Sequence, residues 1–182
     1  NWIFQVFAVV LATAIFNFGL RLVLDKALKQ ARLTTNHWDD DLIAAARRPL
    51  LLGSWVIGLS IAALIIDEIA SNVLFEYTPI VRRIAIILLV MMFLVEFIKN
   101  NERHYLQRQK SNEGHTDVIT IRVVARLLRL SVLITGALVI LQTLGISVSG
   151  VVAFGGIGGI AVGFAAKDLL ANFFGGLMIY MD

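Results

Sequence analysis

The sequence predicts an all-α membrane protein with five transmembrane helices, and three observations carry that prediction. Hydrophobic residues make up 58% of the 182, charged residues only 16%, and the mean hydropathy is +0.82, outside the usual balance of soluble domains. Apolar runs recur along the chain at about the 18 residues a helix needs to cross a hydrocarbon core of roughly 30 Å. The last run, from Gly155 to Gly176, holds seven glycines and four alanines. Glycine in a helix interior costs about 1 kcal/mol against alanine, so its repetition there needs a return in packing or motion.

The first span is expected at 1–24, interrupted by Gln5, Asn17 and Arg21. It is too long and too evenly apolar for a signal peptide, and no small-residue cleavage site frames it. The second, 50–66, carries no charge, and Pro49 before it stands where a helix can begin without missing its amide. The third, about 80–98, has its apolar run from Ile84 to Ile98, with Arg82 and Arg83 standing before that run and Glu96 interrupting its end. The fourth, 127–146, follows a basic approach through Arg122, Arg126 and Arg129. Residues 1–146 thus read as a peripheral four-helix region, and 147–182 as a separate helix with an upper part at 150–166 and a lower part at 167–182. The linker from Ser147 to Gly150 is so short that the fourth and fifth spans are expected to form a tight hairpin.

Orientation follows from the Lys and Arg between spans. Lys26, Lys29, Arg32, Arg47 and Arg48 lie between the first two spans, and Lys99, Arg103, Arg108, Lys110, Arg122, Arg126 and Arg129 between the third and fourth. Between the second and third, Arg82 and Arg83 are set against Asp67, Glu68 and Glu76. The N-terminus is therefore expected outside and the C-terminus in the cytoplasm. The net charge of +3 reflects this asymmetry and contact with anionic lipid, with no soluble basic face for nucleic acid. The lack of cysteine excludes disulfides, thiol catalysis and thiolate metal sites. His37, His104 and His115 read as loop residues without a paired nucleophile, so neither catalysis nor an enzyme is expected. Asp39, Asp40 and Asp41 beside His37 read as an aqueous loop, and neither a metal nor a cofactor is implied. Asn17, Glu96 and Gln142, polar groups in or near spans, are expected to bond neighbouring helices.

Advancing about 100° per residue from Gly155 to Lys167 sorts the fifth span into faces. Gly155, Gly156, Gly159, Gly163 and Ala166 share one side, and Gly158, Ala161 and Ala165 another. Between them runs a ridge of Ala153, Ile157, Ile160 and Phe164. Helices in lipid associate where small residues allow close backbone approach. A helix with two different small faces can pack one against each of two neighbours, and such head-to-tail contacts close into a ring. The ridge then faces the ring axis, where Ile160 and Phe164 form successive apolar constrictions of a pore. A single GxxxG pairing, or packing on the fourth span, is the simpler alternative. Residues 156–161 also fit GxGxxA, but inside a membrane-length run rather than a soluble strand, turn and helix. Below Ala166, Leu169, Leu170, Phe173, Phe174, Leu177, Tyr180 and Met181 gather opposite Asp168, Ala171, Asn172, Gly175 and Gly176. That amphipathic half suits the membrane surface, with a kink at Ala165 and Ala166 and with Lys167 and Asp168 at the pore mouth.

The stretch GGIAVGFAAKDLLANFFGG resembles the pore helix of the MscS-like, small-conductance mechanosensitive channel family: a Gly/Ala-rich upper half, two apolar pore residues one turn apart, and Asn172 in the lower half. The match covers roughly 147–182, and five spans look like the family's three-helix core with two helices added in front, as in its YnaI-like branch. The resemblance implies a homoheptamer in the bacterial inner membrane that opens under tension and releases ions and small solutes on hypo-osmotic shock. Its partners are then other copies of itself, membrane lipids and permeating ions. Ile160 and Phe164 correspond to the constriction, and a cytoplasmic β-rich vestibule is expected after residue 182. Lys167-Asp168 stands where the family prototype has Gln-Gly, which departs from a glycine hinge at that point. Arg122, Arg126 and Arg129 share a face suited to anionic headgroups, or to ordinary snorkelling. A secondary transporter would want internal repeats and mid-membrane carboxylates, which are missing. A non-conducting scaffold built on the glycine faces is the other alternative.

Overall fold

A computed structural model describes the backbone of residues 1–31, 37–70, 77–111 and 118–181. Among these residues it is all helical: α1 (Trp2–Ala31), α2 (His37–Ala70), α3 (Thr78–Ser111), α4 (Val118–Thr143) and α5 (Ser149–Met181). Arg32, Glu76 and His115, and the side chains of His37, Asp39, Asp40, Glu68, Arg108, Lys110, Leu170, Phe173, Leu177, Tyr180 and Met181, lie outside the described residues. Four helices, α1, α2, α4 and α5, contain stretches long and apolar enough to cross a membrane. The third, α3, carries Arg82, Arg83, Glu96 and Lys99 and packs against both α2 and α4.

The first three helices run past the apolar stretches read from the sequence, and α4 starts before its own, at Val118, and ends at Thr143. Pro49 does not open α2; it lies inside a helix that starts at His37. Ala44, Ala45 and Ala46, the strongest helix formers, carry the helix across it, and the missing proline amide leaves the Ala45 carbonyl without its usual donor. His104 and Asp41 are likewise helical rather than in loops, on α3 and α2. Asp41 is buried and bonded to His104, which replaces the expectation of an aqueous acidic loop. An apolar run marks what lipid requires, whereas a helix continues as long as its backbone bonds and flanking residues permit.

The chain divides into two units, 1–144 and 145–182. In the first, α1 packs on α2, α2 on α3 and α3 on α4, and among the described residues no other pair of its helices touches. These four helices therefore form a single layer of antiparallel neighbours. Small and polar groups set the spacing. A Cβ on Gly58 would overlap the Thr13 side chain, and one on Gly136 would overlap Met91. Asn17 Nδ2 donates to the Leu51 carbonyl at 2.7 Å and to Ser54 Oγ at 2.6 Å, the cross-helix bond expected of it. Arg82 Nη1 reaches the buried Ser60 Oγ at 3.4 Å. Glu96 instead meets Lys99 of its own helix at 3.9 Å, and Gln142 is exposed.

Burial in this unit is confined to the lines of helix contact. Among the described residues the buried apolar side chains include Leu24, Ala45, Ala62 and Ala125, whereas Phe7, Phe16, Phe18, Leu52, Ile57 and Leu88 are all exposed. A surface this apolar is stable in lipid or against other protein, not in water.

Candidate functional site

The second unit is Gly145–Asp182, and its described part contains one helix, α5. Gly145 has φ +82°, in the left-handed region where glycine has no Cβ penalty, and so ends the preceding helix and lets the chain turn. Ser147 and Ser149 hydroxyls lie 2.8 Å apart, and the Val152 amide donates to the Val148 carbonyl at 3.0 Å as the helix starts. From Ser149 to Met181 the helix is unbroken through all its glycines. Each helical backbone bond is made within the segment, which is why lipid supports a helix whose residues water would not.

The faces follow from this regular geometry. Within the unit, a Cβ added at Gly155, Gly156, Gly158, Gly159 or Gly163 would meet nothing within 4 Å. The small-residue stripes are thus open, unlike Gly58 and Gly136 of the four-helix layer, which are already filled by neighbours. Between the stripes, Ile157, Ile160 and Phe164 are 68%, 62% and 73% exposed. Ile160, Gly163, Phe164 and Lys167 surround one shallow groove, so Lys167 continues the side of the helix that carries the apolar ridge. Asp168 is one residue on, rotated by about 100° away from Lys167. Among the side chains left out of the sorting by sequence, Phe154, 78% exposed, lies within the angular range of the Gly158 stripe just above it, and Val162, 69% exposed, lies beside the Gly155 stripe. Their position could have been read from the same helical period.

The three arginines before α4's apolar stretch separate in role. Arg129 is engaged by Glu102 of α3 at 3.0 Å, while Arg122 and Arg126 are exposed. Between α3 and α4 lies a groove of about 400 Å³, lined by apolar side chains such as Phe97, Ile98, Val124 and Leu128, with Glu102 at its edge. Among its lining residues no nucleophile is paired with a base.

Residues 126–167, the end of the basic approach through to Lys167, match the family model for transmembrane helices 2/3 of mechanosensitive ion channels. Over this segment the chain resembles the MscS-like channels. Among its relatives, the low conductance mechanosensitive channel YnaI of Escherichia coli is 36% identical over 99 residues, which are 54% of this chain and 26% of that protein. The large-conductance mechanosensitive channel MscMJLR of Methanocaldococcus jannaschii is 37% identical over 100 residues, 54% of this chain and 28% of that protein. An uncharacterized MscS family protein of Bacillus subtilis, YhdY, is 39% identical over 66 residues, 36% of this chain and 18% of that protein. The chain thus spans about a quarter or less of the length of these relatives. No solved structure matches it. The MscS-like match contains both proposed constriction residues, Ile160 and Phe164, and every glycine and alanine of the two small faces.

Proposed function

We propose that this protein is a mechanosensitive channel of the MscS-like type, opened by membrane tension through a hydrophobic gate on α5. The observation that carries the reading is the apolar ridge of α5 between two open small-residue stripes, inside the segment that matches the family. In a ring of copies, each α5 sets its Gly155, Gly159 and Gly163 stripe against the Gly158, Ala161 and Ala165 stripe of the next, and the ridge lines the axis. Family resemblance makes the ring a homoheptamer. Ile160 and Phe164 then narrow an apolar passage that sheds water until tension widens it by a few ångströms, whereupon water and ions enter. Ala153 and Ile157 line the passage above, and Lys167 and Asp168 stand at its mouth. A bend near Ala165 and Ala166 would turn the lower half along the inner surface.

The C-terminus faces the cytoplasm of a bacterial inner membrane in this reading, and Arg122 and Arg126 contact anionic headgroups there. Release of ions and small solutes on hypo-osmotic shock is the physiological task. The test is single-channel recording of the reconstituted protein under suction. Discrete openings that grow with tension support the channel; transport that saturates with substrate and ignores tension supports a transporter, and an oligomer that never conducts supports a scaffold.

A further inference from the structure

At one end of the four-helix layer, where α1 and α3 finish and α2 and α4 begin, each contact between neighbouring helices carries a charged or polar pair. Arg47 Nη2 stands 2.6 Å from Asp25 Oδ1, joining α1 to α2. His104 Nδ1 stands 2.9 Å from Asp41 Oδ2, joining α2 to α3. Arg129 Nη2 stands 3.0 Å from Glu102 Oε2, joining α3 to α4. The acids of the inner two pairs are well covered, with Asp41 at 9% and Glu102 at 15% side-chain exposure.

Apolar helix contacts in lipid are weakly directional, because lipid tails are as apolar as the side chains they replace. A covered acid with a fixed partner is different: separating the pair leaves a desolvated charge alone, so the two helices resist sliding at that point. Because each helix of the layer touches only its sequence neighbours, among the described residues no contact bypasses a helix on the way across it. We propose that the three pairs are a serial load path, which passes membrane tension from α1 through α2 and α3 to Arg129 of α4, inside the segment that matches the family. The proposal rests on the tension-gated reading above.

A serial path has a signature that independent stabilising contacts lack. Cutting Glu102–Arg129 removes the end pair between α4 and the three helices before it, while cutting Asp25–Arg47 removes the end pair of α1 alone. The first cut should therefore raise the opening tension more, and both together should do no more than the first. Independent contributions at separated sites would instead add. The measurement is opening tension of the intact protein in patches of one lipid composition, for the parent, Arg47→Glu, Arg129→Glu, the two combined, and the exchanged pair Glu102→Arg with Arg129→Glu. Expected are an upward shift for Arg47→Glu, a larger one for Arg129→Glu, no further shift for the combination, and return toward the parent value for the exchanged pair. If Arg129→Glu fails to assemble, the neutral Arg129→Gln takes its place in the comparison. Shifts that add, shifts of equal size, or an exchanged pair that assembles without recovery would overturn the load path and leave the channel standing. A parent that stays silent under tension would overturn both.

Discussion

Two glycines of the four-helix layer look alike in sequence and differ in what surrounds them. A methyl group at Gly58 would meet Thr13, whose side chain is branched at Cβ and whose hydroxyl is held by the Val9 carbonyl at 2.7 Å. A methyl group at Gly136 would meet only Met91, an unbranched chain that can swing aside. Alanine gains about 1 kcal/mol of helix propensity at either site, and overpacking costs about 1–3 kcal/mol where the neighbour cannot yield. Gly58→Ala should therefore lower the thermal midpoint of the detergent-purified protein, and Gly136→Ala should leave it level or raise it. Midpoints in the opposite order would mean that α1 gives way more easily than Met91 does. In the proposed gate on α5, Phe164 is larger than Ile160 and one turn further along. Phe164→Ser would offer water a hydrogen-bonding partner at that apolar level, so opening should need less tension. Ile160→Ser should act in the same direction and less strongly, because the Phe164 ring remains. A Phe164→Ser channel with the parent threshold would place the ridge away from the conduction path.

Helices differ in how much of them the sequence makes legible. Five helices were readable, four of them long and apolar enough among the described residues to cross a membrane, because lipid and a regular period act on every residue of a segment in the same way. Asn17 was readable too, since an amide in an apolar span must find a partner and the adjoining helix supplies Leu51 and Ser54. The ends of α2 and α3 were not. Asp41 and His104 are 63 positions apart, and nothing local in either stretch marks them as partners. Pro49 misled because its tolerance at a helix start is a local rule, while packing along α3 holds α2 helical on both sides of it. For α5 the same period makes a prediction about assembly. Gly159→Leu places a branched side chain on a stripe that is open within the chain and, in the proposed ring, sits against the next copy. Overpacking of about 1–3 kcal/mol per site would be repeated in every subunit, so the oligomer should dissociate or lose conduction. Parent oligomer size in detergent together with parent gating would show that the glycine stripes do not make the ring contact.

For the whole molecule, charge near the pore mouth acts through its multiplication by symmetry. The basic excess is spread over many positions, but Lys167 and Asp168 directly follow the proposed constriction residues and are exposed on α5. Lys167 shares its groove with Ile160 and Phe164, while Asp168 is turned by about 100° from it, so the two charges do not occupy equivalent positions around the axis. In a ring of identical copies each becomes a circle of like charge, positive for Lys167 and negative for Asp168. Two such circles close together nearly cancel at a distance, and an ion passing at close range feels the nearer one more strongly. On the helical period the two charges flank the proposed ridge on opposite sides, so removing either unbalances the pair. Lys167→Gln should shift permeation toward cations, and Asp168→Asn should shift it toward anions. Reversal potentials in asymmetric salt read both shifts, and lowering the salt should enlarge them as screening weakens. Unchanged reversal potentials for both variants would put these side chains outside the conduction path, and a larger shift for one of them would show which side chain the lower half of α5 turns toward the axis.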